Sequence, residues 1–111
     1  MKSYNIQNYI RYKKDLEETI KRIKIKEHYS LYDRDELVTL FMPLVENIAR
    51  KFATSQQASG VMSINDLIQE GNLNLIKAVE RIDWQRMQES EDQEKTMKSF
   101  LSKRIKGGIR R

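Results

Sequence analysis

Leu37-Val38-Thr39-Leu40-Phe41-Met42-Pro43-Leu44-Val45-Glu46-Asn47-Ile48-Ala49-Arg50-Lys51-Phe52 is the most periodic stretch of this 111-residue chain. Leu37, Leu40, Phe41, Leu44, Val45, Ile48, Ala49 and Phe52 recur at steps of three and four, which aligns them along one side of an α-helix. A stripe of that length must be buried, so the rest of the chain has to supply further helices. Pro43 falls inside the stripe and lacks an amide hydrogen. It predicts either a kinked helix or a break near Phe41, with a new helix carrying Pro43 in its first turn. Asp33 or Asp35 is placed to cap the start.

Upstream, residues 6–26 carry Leu16, Ile20 and Ile23 at i, i+4 and i+7 among lysines and arginines, which predicts a moderately amphipathic helix. Tyr29, Leu31 and Tyr32 then suggest a packed turn. Downstream, residues 54–60 (TSQQASG) are polar and unpatterned and read as a flexible connection. Ser63, three residues before Asp66, opens the next helix in the manner of a capping box. Ile64, Leu67, Ile68, Gly71, Leu75, Ala78, Val79 and Ile82 share its inner face. With Leu44, Ile48 and Phe52, the residues Leu67, Leu75 and Val79 are expected to make most of the core. A mid-helix glycine costs about 1 kcal/mol relative to alanine, so a neighbouring helix is expected to pass close to Gly71.

The opposite face gathers Asp66, Gln69, Glu70, Lys77 and Glu80 around Leu73 and Ile76. Aliphatic side chains within an acidic and amide surface have the composition of a docking site, although single exposed aliphatics are also common on any protein. Residues 85–95 are polar, acidic and without period, and read as a loop. Thr96 is placed to cap a last helix. Met97, Leu101, Ile105, Gly108 and Ile109 form its apolar arc; Ser99, Lys103, Lys106 and Arg110 form a mostly basic face, with Phe100 at the seam.

Composition narrows the class. A chain of 111 residues supports one core, and 4 glycines with 1 proline leave little turn chemistry for hairpins, so an all-α bundle is expected. Cys is 0 and His28 is the single histidine. Thiolate chemistry, a disulfide framework and a multi-histidine metal centre are thereby excluded, and a reducing cytoplasm fits. No apolar run approaches the roughly 20 residues that span a bilayer, so no membrane is expected. Glycine-rich phosphate loops and nucleophile–base sets are missing too, which predicts a protein that is not an enzyme. Asp66 and Glu70 share a helix face, but two carboxylates without further ligands are ordinarily solvated, and neither a metal nor a cofactor is expected.

A net charge of +5 points to a polyanionic partner. The excess is concentrated in Lys95, Lys98, Lys103, Arg104, Lys106, Arg110 and Arg111, which follow Glu89, Glu91, Asp92 and Glu94 and have no acidic residue among them. Lys103, Lys106 and Arg110 at i, i+3 and i+7 make a face suited to phosphates. Phe100 and Trp84 are either core residues or flat surfaces on which an unpaired base stacks.

Asp66-Leu67-Ile68-Gln69-Glu70-Gly71-Asn72-Leu73-Asn74-Leu75-Ile76-Lys77-Ala78-Val79 closely resembles region 2.2 of the bacterial sigma-70 family, possessing its DLIQEGN…L.KAV motif. Pro43 with Leu44-Val45-Glu46-Asn47-Ile48-Ala49-Arg50-Lys51-Phe52 is similar to region 2.1. Met97-Lys98-Ser99-Phe100-Leu101-Ser102-Lys103-Arg104-Ile105-Lys106-Gly107-Gly108-Ile109 is similar to the F.TYA..RIRGAI run of regions 2.3 and 2.4. The resemblance covers residues 36–111, and residues 1–35 match region 1.2 only in position and helicity. It implies a compact helical bundle with an N-terminal helix in the place of region 1.2, divergent in the manner of phage or mobile-element factors and cut short within the promoter-reading helix.

The function it implies is a transcription initiation factor that docks on the beta-prime clamp helices of core RNA polymerase and engages the non-template strand of the minus-ten promoter element. Polymerase binding maps onto Asp66, Gln69, Glu70, Asn72, Leu73 and Ile76. DNA binding maps onto Trp84, Arg86, Phe100, Lys103, Arg104, Lys106 and Arg110. Phe100 stands where the family tyrosine stacks on a flipped adenine, and Arg86 matches an arginine near that pocket. Arg104 agrees with the alternative-sigma subgroup. Three features depart from the family: residues 87–96 replace about three residues, Lys103 replaces an aromatic used in strand separation, and Gly107 replaces a glutamine that reads duplex DNA. A separate region 4 subunit or an anti-sigma factor is a further expected partner. The competing reading is an interaction module that binds polymerase without reading DNA, such as half of a split sigma factor or a clamp competitor.

Overall fold

A computed structural model describes residues 3–55 and 64–109, with side chains for 10–53 and 64–109. The described chain is helical without a strand: α1 (Ser3–Arg22), a 3-10 turn (Tyr29–Leu31), α2 (Arg34–Ser55), α3 (Ile64–Val79), α4 (Trp84–Glu89) and α5 (Gln93–Ile109). The all-α expectation holds. Ser63, expected to cap α3, and Arg110 lie outside the described residues, as do positions 56–60 of the expected connection. Thr54 and Ser55, assigned to that connection, are the last turn of α2.

Helix α1 stops at Arg22, four residues before the expected end, with Lys21 and Arg22 in its last turn facing the negative end of the helix dipole. The chain beyond it is fastened to the start of α2. Lys26 donates its backbone N–H to the Tyr32 hydroxyl at 2.9 Å, and its ammonium reaches Glu36 at 3.2 Å. Tyr29 packs tilted against Tyr32 and Phe41, whereas Leu31, expected to pack here, is 56% exposed.

Asp33, rather than Asp35, caps α2. Its Oδ1 accepts the Glu36 N–H at 2.8 Å while Glu36 Oε1 accepts the Asp33 N–H at 2.9 Å, a reciprocal box that satisfies two donors the helix leaves open. The helix then runs through Pro43 without a break, so of the two alternatives the new helix starting at Pro43 does not form. Proline inside a helix costs about 3 kcal/mol, whereas each large apolar side chain buried contributes about 1.5–3 kcal/mol. Leu37, Phe41, Val45 and Ile48 are buried along the one stripe, and together they outweigh the lost bond.

Helix α3 packs between α2 and α5. It buries Leu67, Ile68, Leu75, Ala78 and Val79 against the α2 stripe and against Met97, Leu101, Ile105 and Ile109 of α5. Leu44 and Phe52, expected in the core, are only half-buried and pack against its flank, because the apolar stripe of α2 is wider than the surface α3 covers. Gly71 is the point of closest approach. A Cβ there would lie 2.5 Å from Val45 Cγ1 and 3.3 Å from Ile109 Cδ1, so glycine lets α2 and α5 close onto α3.

Residues 85–95 are not a loop. They contain most of α4 and the start of α5, joined by a three-residue turn. Asp83 caps α4 by accepting the Arg86 N–H at 3.2 Å, and Met87 anchors it, 4% exposed. Asp92 caps α5 by accepting the Lys95 N–H at 3.1 Å. Thr96 is therefore inside α5, where its hydroxyl hydrogen-bonds that of Ser90 and ties the turn down.

Candidate nucleic-acid interface

The short α4 and the first half of α5 diverge to leave a cleft of about 460 Å³, within the roughly 300–1,000 Å³ usual for small-molecule sites. Ile82 and Met87 form its apolar floor, and the half-buried Phe100 contributes a ring to its wall. Arg86, Lys95, Lys103 and Arg104 stand around the opening, all exposed. The carboxylate at the cleft, Asp83, is engaged as the α4 cap. None of the four cations makes an ion pair among the described residues. An apolar slot with an aromatic wall under a cationic rim suits a planar group carrying a negative charge nearby.

Four of the residues expected to meet DNA are brought together here: Arg86, Phe100, Lys103 and Arg104. The Arg104 guanidinium carbon lies 5.0 Å from the centroid of the Phe100 ring. Lys106 lines a neighbouring groove on α5. Trp84 does not line the cleft; it is half-buried at the start of α4 and borders grooves with Ser30 of the 3-10 turn. Lys95 and Ser99 entered the sequence reading only as members of the basic run and of the polar face of the last helix, and Thr96 only as a cap; the structure adds all three to the cleft lining. Lys95 falls in the stretch read as a loop and Thr96 at the expected start of the last helix, whereas the helix begins at Gln93 and places both inside it.

The second surface is the outer face of α3. Asp66, Gln69, Glu70 and Leu73 are exposed there, Leu73 at 55%, while Ile76 is half-buried. Asn72 is turned to the flank, against Tyr12 of α1. Burial holds the Tyr12 phenol above its ordinary pKa; the Asn72 side chain opposes that rise and the Glu46 carboxylate adds to it. Among the described residues neither the Tyr12 hydroxyl nor Asn72 Oδ1 completes a hydrogen bond. Beside them the buried Glu46 takes Lys13 of α1 at 3.4 Å and Arg50 at 3.7 Å, which fixes α1 across α2. Among the described residues no three acidic or histidine side chains come together as a metal site. None of the described helices is long and apolar enough to cross a membrane.

The sigma-70 region 2 family model matches residues 37–111, and the chain belongs to that family. Its bundle is thus a sigma-type transcription factor domain, with a sigma-factor-like role in transcription initiation. No curated protein and no solved structure matches the chain.

Proposed function

We propose that this protein binds core RNA polymerase through the outer face of α3, against the beta-prime clamp helices, and takes an unpaired base of the non-template minus-ten strand into the α4–α5 cleft. The observation that carries this reading is the cleft itself: an aromatic ring, an apolar floor and four cations that make no ion pair among the described residues converge on a space large enough to admit a base. Asp66, Gln69, Glu70, Leu73 and Ile76 supply the docking contacts, with Asn72 at the edge of that face. Arg86, Phe100, Lys103 and Arg104 hold the base and its phosphate, and Lys106 and Arg110 extend the basic side along α5. Such a factor works in the cytoplasm beside the polymerase, with a region 4 subunit or an anti-sigma factor as a further partner, and performs no chemistry of its own. The test is binding of a fluorescent minus-ten-like single strand, alone and with core polymerase added. Tighter binding on addition of core supports the reading.

A second reading rests on Gly107. A Cβ there would meet nothing within 4 Å, so the position is open and offers no side chain to read a base. On this reading the protein occupies the polymerase clamp without reading DNA. Binding to core polymerase with no gain in strand affinity would favour it.

A further inference from the structure

Every side chain of the buried core comes from α2 or from the chain beyond it; the described residues of α1 supply none. Tyr12, Leu16 and Ile20 are half-buried on the inner side of α1, and Ile10 is 58% exposed. Lifting α1 therefore uncovers the flank of the bundle without opening its core. The joint behind α1 suits such a movement. Ile23, Lys24 and Ile25 follow the helix as irregular chain, with Ile25 96% exposed, and Lys26 beyond them is held by Tyr32 and Glu36. A short link thus joins α1 to a fixed anchor.

The seat of α1 is polar and incompletely satisfied. Glu46 takes Lys13 of α1 at 3.4 Å, but it also takes Arg50 of its own helix at 3.7 Å, so it keeps a cation and gains water when α1 leaves. At the contact between α1 and α3 the Tyr12 hydroxyl and Asn72 Oδ1 are shut away from water with no hydrogen-bond partner among the described residues. Unpaired polar atoms oppose the burial that encloses them. Asn72 is also the edge of the proposed docking face, and the side chain lying against it is Tyr12.

From these features we infer that α1 is a displaceable cover on the docking face: it seats over Asn72 in the free chain, and a polymerase surface that reaches Asn72 lifts it off. The inference deepens the proposed docking and rests on it. Cover and polymerase then compete for one strip of α3, so the apparent affinity for core scales with the fraction of chains in which α1 is lifted.

The test measures the affinity of the whole chain for core polymerase after two substitutions at Tyr12 that act on the seat in opposite directions. Tyr12→Phe deletes the unpaired hydroxyl and seats α1 more firmly, so core is expected to bind up to about fivefold more weakly. Tyr12→Ala withdraws the ring from the seat, so core is expected to bind at least about threefold more tightly. In the unaltered chain, hydrogen exchange at the α1 amides is expected to quicken when core is added. Weaker binding by Tyr12→Ala, or α1 amides that slow in the complex, would make α1 part of the interface and overturn the cover. Unchanged affinity in both variants, with Glu70→Lys still weakening binding, would overturn the cover and leave the docking face standing. If Glu70→Lys is silent as well, the docking face falls with it.

Discussion

The Arg104 guanidinium sits 5.0 Å from the centre of the Phe100 ring, closing one side of the α4–α5 cleft. An exposed cation–π contact contributes about 0.5–1 kcal/mol, and a base stacked on an aromatic side chain about 1–3 kcal/mol. A base can therefore displace Arg104 from the ring at a net gain. Phe100→Ala is expected to weaken single-strand binding by about 1–3 kcal/mol, and Phe100→Tyr to preserve it. Arg104→Ala should cost less than Phe100→Ala, because the ring it vacates stays available. Fluorescence anisotropy decides; a larger loss for Arg104→Ala would show that the guanidinium, not the ring, receives the strand.

Two glycines should respond oppositely to the same substitution. At Gly71 a Cβ meets Val45 Cγ1 at 2.5 Å, and overpacking of about 1–3 kcal/mol exceeds the roughly 1 kcal/mol of helix propensity regained. At Gly107 nothing lies within 4 Å. Gly71→Ala is expected to lower stability by about 1–2 kcal/mol and Gly107→Ala to raise it by about 0.5–1 kcal/mol, read from urea unfolding midpoints.

Much of this was legible before the structure. The period of Leu37 to Phe52 and of Ile64 to Ile82 is strong enough to define the two central helices and the inner face of α3, and a glycine on that face already implied the close approach of a neighbouring helix, which the structure shows to be α2 at Val45. The α4–α5 turn was not legible. Met87 is its one buried apolar anchor, and a single residue sets no period. Asp83 and Asp92 cap their helices without the glutamate or glutamine three residues on that marks a capping box, so the caps passed for loop chemistry. Phe100 and Lys103 were legible from residue type and spacing, Arg86 and Arg104 only through the family resemblance, and Lys95 lies in the three residues by which α5 begins before the expected Thr96.

On the outer face of α3, Glu70 is exposed. Glu70→Lys reverses its charge at the proposed polymerase contact without touching the core. Weaker co-purification with core polymerase, with an unchanged circular dichroism spectrum, is the expected outcome. Unchanged affinity would remove that face from the docking surface.

Alkaline stability should report the seat of α1. The Tyr12 phenol is raised chiefly by burial, so the folded state keeps its proton more tightly than the unfolded state. That stabilisation is complete below the unfolded value near pH 10 and is lost as pH rises through the folded value. Tyr12→Phe is expected to remove this pH dependence. At neutral pH it should be neutral or stabilising by up to about 1 kcal/mol, because the hydroxyl it deletes is buried and has no hydrogen-bond partner among the described residues.

The proposal that Phe100 receives an unpaired promoter base is tested most directly in the assembled polymerase complex. The measurement compares the affinity of a minus-ten-like single strand with that of a scrambled strand, for the unaltered protein and for Phe100→Ala. The protein alone should discriminate weakly, since Lys103 and the open Gly107 offer little base readout. With core polymerase bound, the minus-ten-like strand should be preferred, and Phe100→Ala should abolish the preference. Equal binding of both strands in the complex, with Phe100→Ala silent, would contradict the account and leave a protein that occupies the clamp without reading DNA.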